Sequence, residues 1–145
     1  MIVKIKREND TIPMPLKATS GAAGMDLCAN IEESLTILPH TPVKIKTGIS
    51  IEIPDSSCVG LVFGRSGMGI NHGITLSNSV GVIDSDYRGE ICVGLINNSE
   101  KPYTINPMDR IAQLVFMNFI NVEFEEAYEL SETKRNKSGF GSTGK

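Results

Sequence analysis

The chain has no tryptophan, two histidines and only 6% aromatic residues. A nucleic-acid reader that stacks bases on aromatics along a basic face needs more of both. Positive charge is short as well: 14 Lys and Arg stand against 17 Asp and Glu, a formal net charge of −3. No nucleic-acid partner is expected, and a polyanionic ligand has to be small and gripped locally. His40 and His72 have no second metal ligand at chelating spacing, which argues against a histidine metal centre and against a Ser/His/Asp triad. Cys28, Cys58 and Cys92 are odd in number and widely spaced, with no CxxC pair. They fit neither a disulfide framework nor a zinc cluster and read as free thiols of a reducing compartment. No apolar run approaches the roughly 18 residues a membrane helix needs, and the opening MIVKIKREND carries Lys4, Lys6 and Arg7 with no apolar leader behind them. The expectation is a soluble, cytoplasmic protein without a membrane partner.

What remains is 145 residues that are 40% hydrophobic, enough for one plain hydrophobic core that buries roughly 68–70% of the unfolded chain's surface. Apolar residues alternate with polar ones from Val43 to Ile53, and again at Val59, Leu61, Phe63 and at Ile91, Val93, Leu95. That period of two predicts half-buried strands. Residues 111–124 are apolar on both parities, as for a strand covered on both faces or set in a subunit interface. No window sustains a helical repeat, and Gly, Pro, Asn and Ser punctuate the runs, so the fold class is all-β, a sandwich or a barrel. After a run of glutamates the chain ends in KRNKSGFGSTGK, nearly without apolar content, which predicts a tail that is flexible alone.

Five segments carry chemistry. In GAAGMDLCA, Asp26 lies on the strand face opposite Met25, Leu27 and Ala29; alone it reads as a turn or surface carboxylate. GRSGMG places Arg65, Ser66 and Gly67 at a strand end. Those are the parts of an anion cradle, since glycines let amides approach an anion and a guanidinium forks onto phosphate oxygens; a plain surface loop is the alternative. NSVGVIDSDYRGE predicts a hairpin whose near arm presents Asp84. That carboxylate is either a general base raised by desolvation or a maker of Asx turns. In MDRIAQLVF, Gln113 interrupts an apolar strand, and a buried amide needs partners. SGFGSTGK fits the G-x-x-x-x-G-K spacing, but a P-loop must open a helix and none follows. Its successive Gly, Ser and Thr groups still suit phosphate, and Phe140 suits a planar base.

AGMDL, RSG, GVIDSDYRG, DRIAQL and GFGSTG, from about residue 21 to the C-terminus, resemble in order and spacing the five motifs of the trimeric deoxyuridine triphosphate nucleotidohydrolases, the dUTPases. The resemblance implies a jelly-roll-like β-barrel of the β-clip type over residues 1–130. It also implies a C-terminal arm over 131–145, and a homotrimer whose sites are shared between subunits. It implies hydrolysis of dUTP to dUMP and pyrophosphate, which limits uracil in DNA and supplies dUMP for thymidylate synthesis. Asp84 would activate the water that attacks the α-phosphorus. Arg65, Ser66, Gly67 and Gln113 would hold the phosphates, joined by Arg135, Gly141, Ser142 and Thr143 from the arm. Asn78 and the backbone around Val82, Ile83 and Cys92 would read uracil, Tyr87 would pack under the deoxyribose, and Phe140 would stack over the base. Magnesium would chelate the triphosphate, with Asp26 reaching it through water. The sequence departs from the family at Gly64 and Gly69, which stand in place of Pro and Ala and predict a looser Arg65 loop. It departs again at Asn136, Lys137 and Ser138, which replace a glycine-rich run. Two other activities remain on this resemblance: deamination of dCTP on a related trimeric fold, and a nucleotide-gated switch for a protein partner.

Overall fold

The structure, a computed structural model, describes residues 1–137; Phe140, Gly141, Ser142 and Thr143 lie outside the described residues. In chain order the described elements are β1 (Lys4–Arg7), β2 (Met25–Cys28), β3 (Leu35–Ile37), β4 (Pro42–Lys46), β5 (Ile49–Glu52), β6 (Cys58–Phe63), α1 (Ser66–His72), β7 (Ile74–Leu76), β8 (Gly81–Ile83), β9 (Cys92–Asn97), β10 (Tyr103–Ile105) and β11 (Arg110–Asn118). The all-β expectation holds. A four-stranded sheet runs β2-β11-β6-β8, a three-stranded sheet runs β4-β9-β7, and β1-β5 and β3-β10 form two further pairs. Every pairing is antiparallel.

One core joins the sheets. Leu27, Ile37, Ile45, Ile49, Ile74, Ile91, Leu95, Ile111 and Leu114 are each at most 2% exposed, and a fully buried aliphatic side chain of this kind contributes roughly 1.5–3 kcal/mol against the entropy of ordering it. In β9 the buried positions fall as the sequence predicts, on Val93 and Leu95. In β6 the parity is reversed: Cys58, Gly60 and Val62 are buried, while Val59, Leu61 and Phe63 remain partly exposed. Both faces of β6 are apolar, so alternation alone does not say which one meets the core.

Four expectations need correcting. The continuous strand from Val43 to Ile53 is two strands, because Gly48 sits at φ +67°, in the left-handed region. A Cβ there would run into the Ile12 side chain and approach the Asn30 amide nitrogen at 2.8 Å. The break sends β4 to β9 and β5 to β1, and Thr47, between them, is buried with its hydroxyl donating to the Ile91 carbonyl at 2.6 Å. The apolar run 111–124 stops as a strand at Asn118; beyond it Ile120 is 86% and Phe124 98% exposed. The GRSGMG segment is not all loop: residues 66–72 close one short helix, ended by Gly73 at φ 70°. The segment 78–92 is not a hairpin, since β8 pairs with β6 whereas β9 pairs with β4 and β7. The turn between them crosses from one sheet to the other.

Candidate active site

The chemistry-bearing residues fall into two groups, set by the register of the four-stranded sheet. In the first, β2, β11 and β6 lie side by side, with Gln113 opposite both Asp26 and Phe63. Just past Phe63 the chain turns at Gly64 and enters α1 with Arg65 as its N-cap. An ordinary N-cap offers a side-chain oxygen to the first helical amides. Arg65 has none, and its guanidinium turns back across the sheet end. Its Nε donates to Asp26 Oδ1 at 2.9 Å, and Arg110 donates to Asp26 Oδ2 at 3.1 Å. The Arg65 Nη1 also reaches the Arg110 carbonyl at 3.4 Å. The Gln113 amide donates to the Gly64 carbonyl at 3.0 Å, which answers the demand for a partner. Gln113 thus holds the Gly64 carbonyl and Asp26 the Arg65 guanidinium, and Gly69 lies inside the helix.

Arg110 is the residue that motif reasoning missed. The register slips between Arg110 and Ala112, a bulge of the kind that re-aims a side chain. The available signal was a lone cation opening an apolar strand three residues before Gln113. Both oxygens of Asp26 are engaged by guanidinium groups, so the carboxylate joins two arginines in this chain. Nearby, burial pushes the Cys28 thiol above its usual pKa; the Asp26 charge adds to the rise, and Arg110 and Arg65 oppose it.

The second group surrounds β8, the outer strand beside β6. Asn78, Val82, Ile83 and Cys92 line a cleft of about 150 Å³ together with Gly81 and Gly94. The glycines bring backbones close: a Cβ at Gly94 would meet the Ser77 hydroxyl at 2.5 Å, and one at Gly81 would meet Val62 at 3.0 Å. Of the backbone groups there, the Gly94 carbonyl already accepts the Ser77 amide at 2.9 Å. A wider opening, lined also by Val43 and Lys44, adjoins it through Asn78, Cys92 and Gly94. Asp84 follows β8 directly and is exposed, as is Val82 at 61%. The expected desolvated carboxylate at the end of a buried strand is therefore absent from the single chain, because β8 is an edge strand. The loop beyond is folded on itself. The Tyr87 amide donates to the Asp84 carbonyl at 3.1 Å, and Arg88 donates to the carbonyls of Ser85 at 2.7 Å and Tyr87 at 3.0 Å. The Tyr87 hydroxyl donates to the Glu90 carbonyl at 3.1 Å.

The two groups do not meet in one chain. Ile83 pairs with Gly60, so Asp84 lies level with Val59, four residues before β6 ends at Phe63, and Arg65 lies past that end. At about 3.3 Å per residue the strand alone accounts for roughly 13 Å. Arg135 lies further off in sequence, in the exposed tail after β11.

A family model described as dUTPase matches residues 10–144. Among curated proteins, the deoxyuridine 5'-triphosphate nucleotidohydrolase of Desulfitobacterium hafniense is 47% identical over 146 residues, covering 98% of this chain and 97% of its own length. The enzyme of the same name from Legionella pneumophila is 45% identical over 139 residues, covering 96% and 91%. Among solved structures, a variant of the dUTPase of Staphylococcus bacteriophage 80alpha with dUpNHpp superposes with a TM-score of 0.88 at 24% identity, covering 99% of this chain and 98% of that one. A variant of the dUTPase from phage phi11 of S. aureus, described with a structural Mg(II) ion, gives 0.80 at 22% identity, covering 91% and 100%. At these identities the likeness of the structures is one of fold.

Proposed function

The chain belongs to the dUTPase family, and from that we propose that it hydrolyses dUTP to dUMP and pyrophosphate at sites shared between the subunits of a homotrimer. The observation that carries this reading is that Asp84 and Arg65 lie towards opposite ends of β6, with roughly 13 Å of strand between them. A base and a phosphate clamp acting on one α-phosphorus need to be closer than that, which favours a second copy supplying one of the two. The exposed apolar residues after β11 support the same conclusion. Ile120, Val122, Phe124, Tyr128 and Leu130 are each at least 67% exposed in the lone chain, and large apolar side chains left in water favour cover by a partner. Laid across a neighbour, that segment would take residues 131–145, with Arg135, Phe140, Gly141, Ser142 and Thr143, to the neighbour's nucleotide.

In this reading Asp84 accepts a proton from the attacking water as it adds in line to the α-phosphorus; the bond to the bridging oxygen breaks and pyrophosphate leaves. A neighbour's phosphate clamp over Asp84 would remove it from bulk water. Arg65 and Gln113 grip phosphate oxygens with the Ser66 hydroxyl. Gly67 joins the grip through its backbone at the start of α1, where a Cβ would meet nothing within 4 Å in its own chain. Uracil would lie in the cleft of Asn78, Val82, Ile83 and Cys92, where cytosine's exchanged donor and acceptor leave buried groups unpaired at roughly 1–3 kcal/mol each. Tyr87 under the sugar excludes a 2′-hydroxyl. Among the described residues no group of three or more His, Cys, Asp or Glu gathers to hold a metal. That donor set fits a magnesium ion held chiefly by the triphosphate, with Asp26 reaching it through water at most. Bound there, the ion would neutralise phosphate charge and fix one chelate geometry.

Pyrophosphate and ammonia released from dUTP, dCTP, dTTP and UTP, side by side with magnesium, test the reading. Pyrophosphate from dUTP alone supports it; ammonia from dCTP would replace it with deamination. The same enzyme in cells would limit uracil in DNA and feed dUMP to thymidylate synthesis.

A further inference from the structure

The loop from Asp84 to Gly89 carries the base and the sugar-packing tyrosine, yet the hydrogen bonds that shape it close on the loop itself. Glu90 ties it to the body. Its Oε1 accepts the Gly48 amide at 2.8 Å, and its Oε2 lies 3.5 Å from the Lys46 ammonium. Its carbonyl also receives the Tyr87 hydroxyl. Gly48 is a rigid anchor, since its left-handed backbone is boxed in by Ile12 and Asn30 and its own carbonyl accepts the Glu8 amide at 2.8 Å. One residue on, the Ile91 amide donates to the Ile49 carbonyl at 2.8 Å, which begins the docking of β9. Glu90 thus stands where a self-bonded loop meets the corner between β4 and β5.

We propose that Glu90 is a positioning residue for dUTP hydrolysis, holding Tyr87 and Asp84 at the nucleotide through its hydrogen bond to the Gly48 amide. The proposal rests on the reading of Asp84 and Tyr87 given above. The Gly48 bond carries the effect and the Lys46 pair does not, because that pair is long and Lys46 is 63% exposed, where ion pairs contribute little. What matters is an acceptor at the right reach, whatever its charge.

The test sets charge against reach in the full-length protein. Glu90→Gln keeps the reach and an acceptor oxygen but loses the charge; Glu90→Asp keeps the charge and shortens the reach by one methylene. The expected result is kcat/KM for dUTP within about twofold of the parent for Glu90→Gln. For Glu90→Asp, a fall of roughly 10- to 100-fold is expected, the scale of a misplacement near 1 Å. The preference for dUTP over UTP should narrow in Glu90→Asp alone, because Tyr87 is displaced, while its melting temperature stays near that of Glu90→Gln. Lys46→Met should behave as the parent does. Parent-like rate and discrimination in Glu90→Asp, or equal losses in both Glu90 variants, would overturn the proposal. A parent protein that does not hydrolyse dUTP would overturn the underlying reading instead.

Discussion

The two halves of the site are built differently. At the end of β2, β11 and β6, charged groups are already in place: Asp26 and Arg65 are about a quarter exposed, joined at 2.9 Å, and Arg110 and Gln113 brace them. Around β8, the cleft has its shape but the Asp84 carboxylate, the proposed base, stands exposed. A clamp for a highly charged ligand has to be organised before the ligand arrives, because guanidinium groups left to wander lose their geometry. A general base gains from the opposite arrangement, remaining hydrated until the closing of the site strips its water.

The largest expected effect lies in the unfinished half. Asp84→Asn should lower kcat by roughly 10²–10⁴ while dUTP still binds, as loss of a general base requires; steady-state rates beside calorimetric titration with dUTP check it, and a near-normal kcat would remove the distinction between the halves. In the preorganised half the losses should fall on binding. Asp26→Asn frees Arg65 and Arg110, and loss of a charge-assisted bond of about 1.5 kcal/mol predicts a roughly tenfold rise in KM with a smaller change in kcat.

Gly67→Ala sharpens the contrast further. The fold has room for the methyl group, and alanine favours the helix by up to about 1 kcal/mol, so thermal stability should hold or rise. Activity should fall about tenfold if ligand oxygens need that space, and unchanged activity would place the phosphates elsewhere. The smallest effect concerns Cys28. With its pKa raised by burial and then by Asp26, its thiolate forms only at higher pH than an ordinary thiol. The pH midpoint of its alkylation should therefore lie high, and should move down in Asp26→Asn.

Much of this was legible in the sequence, and the misses have physical causes. The all-β class and the burial of Val93 and Leu95 follow from alternation. Asp26, Arg65 and Gln113 were identified separately, and the register of β11 with β2 and β6 accounts for their meeting. Gly48 could not be read as a strand break, because a glycine among Thr47, Ile49 and Ile51 keeps the alternation intact; its left-handed φ and the close approach of Ile12 and Asn30 show only in the folded chain. Arg110 was hidden by a bulge, which shifts parity without marking the sequence. The hairpin expected at residues 78–92 failed because the local pattern cannot say which sheet receives each arm.

The central claim is that Asp84 of one copy works on a nucleotide clamped by Arg65 of another. Inactive Arg65→Ala and Asp84→Asn proteins, unfolded together, refolded as a mixture and assayed for pyrophosphate release from dUTP, test it most directly. In a three-fold head-to-tail ring, random assembly of equal amounts restores both residues to about a quarter of the sites, so activity should return to roughly that fraction of the parent's. A mixture that contains mixed oligomers yet remains as inactive as its components would contradict the claim.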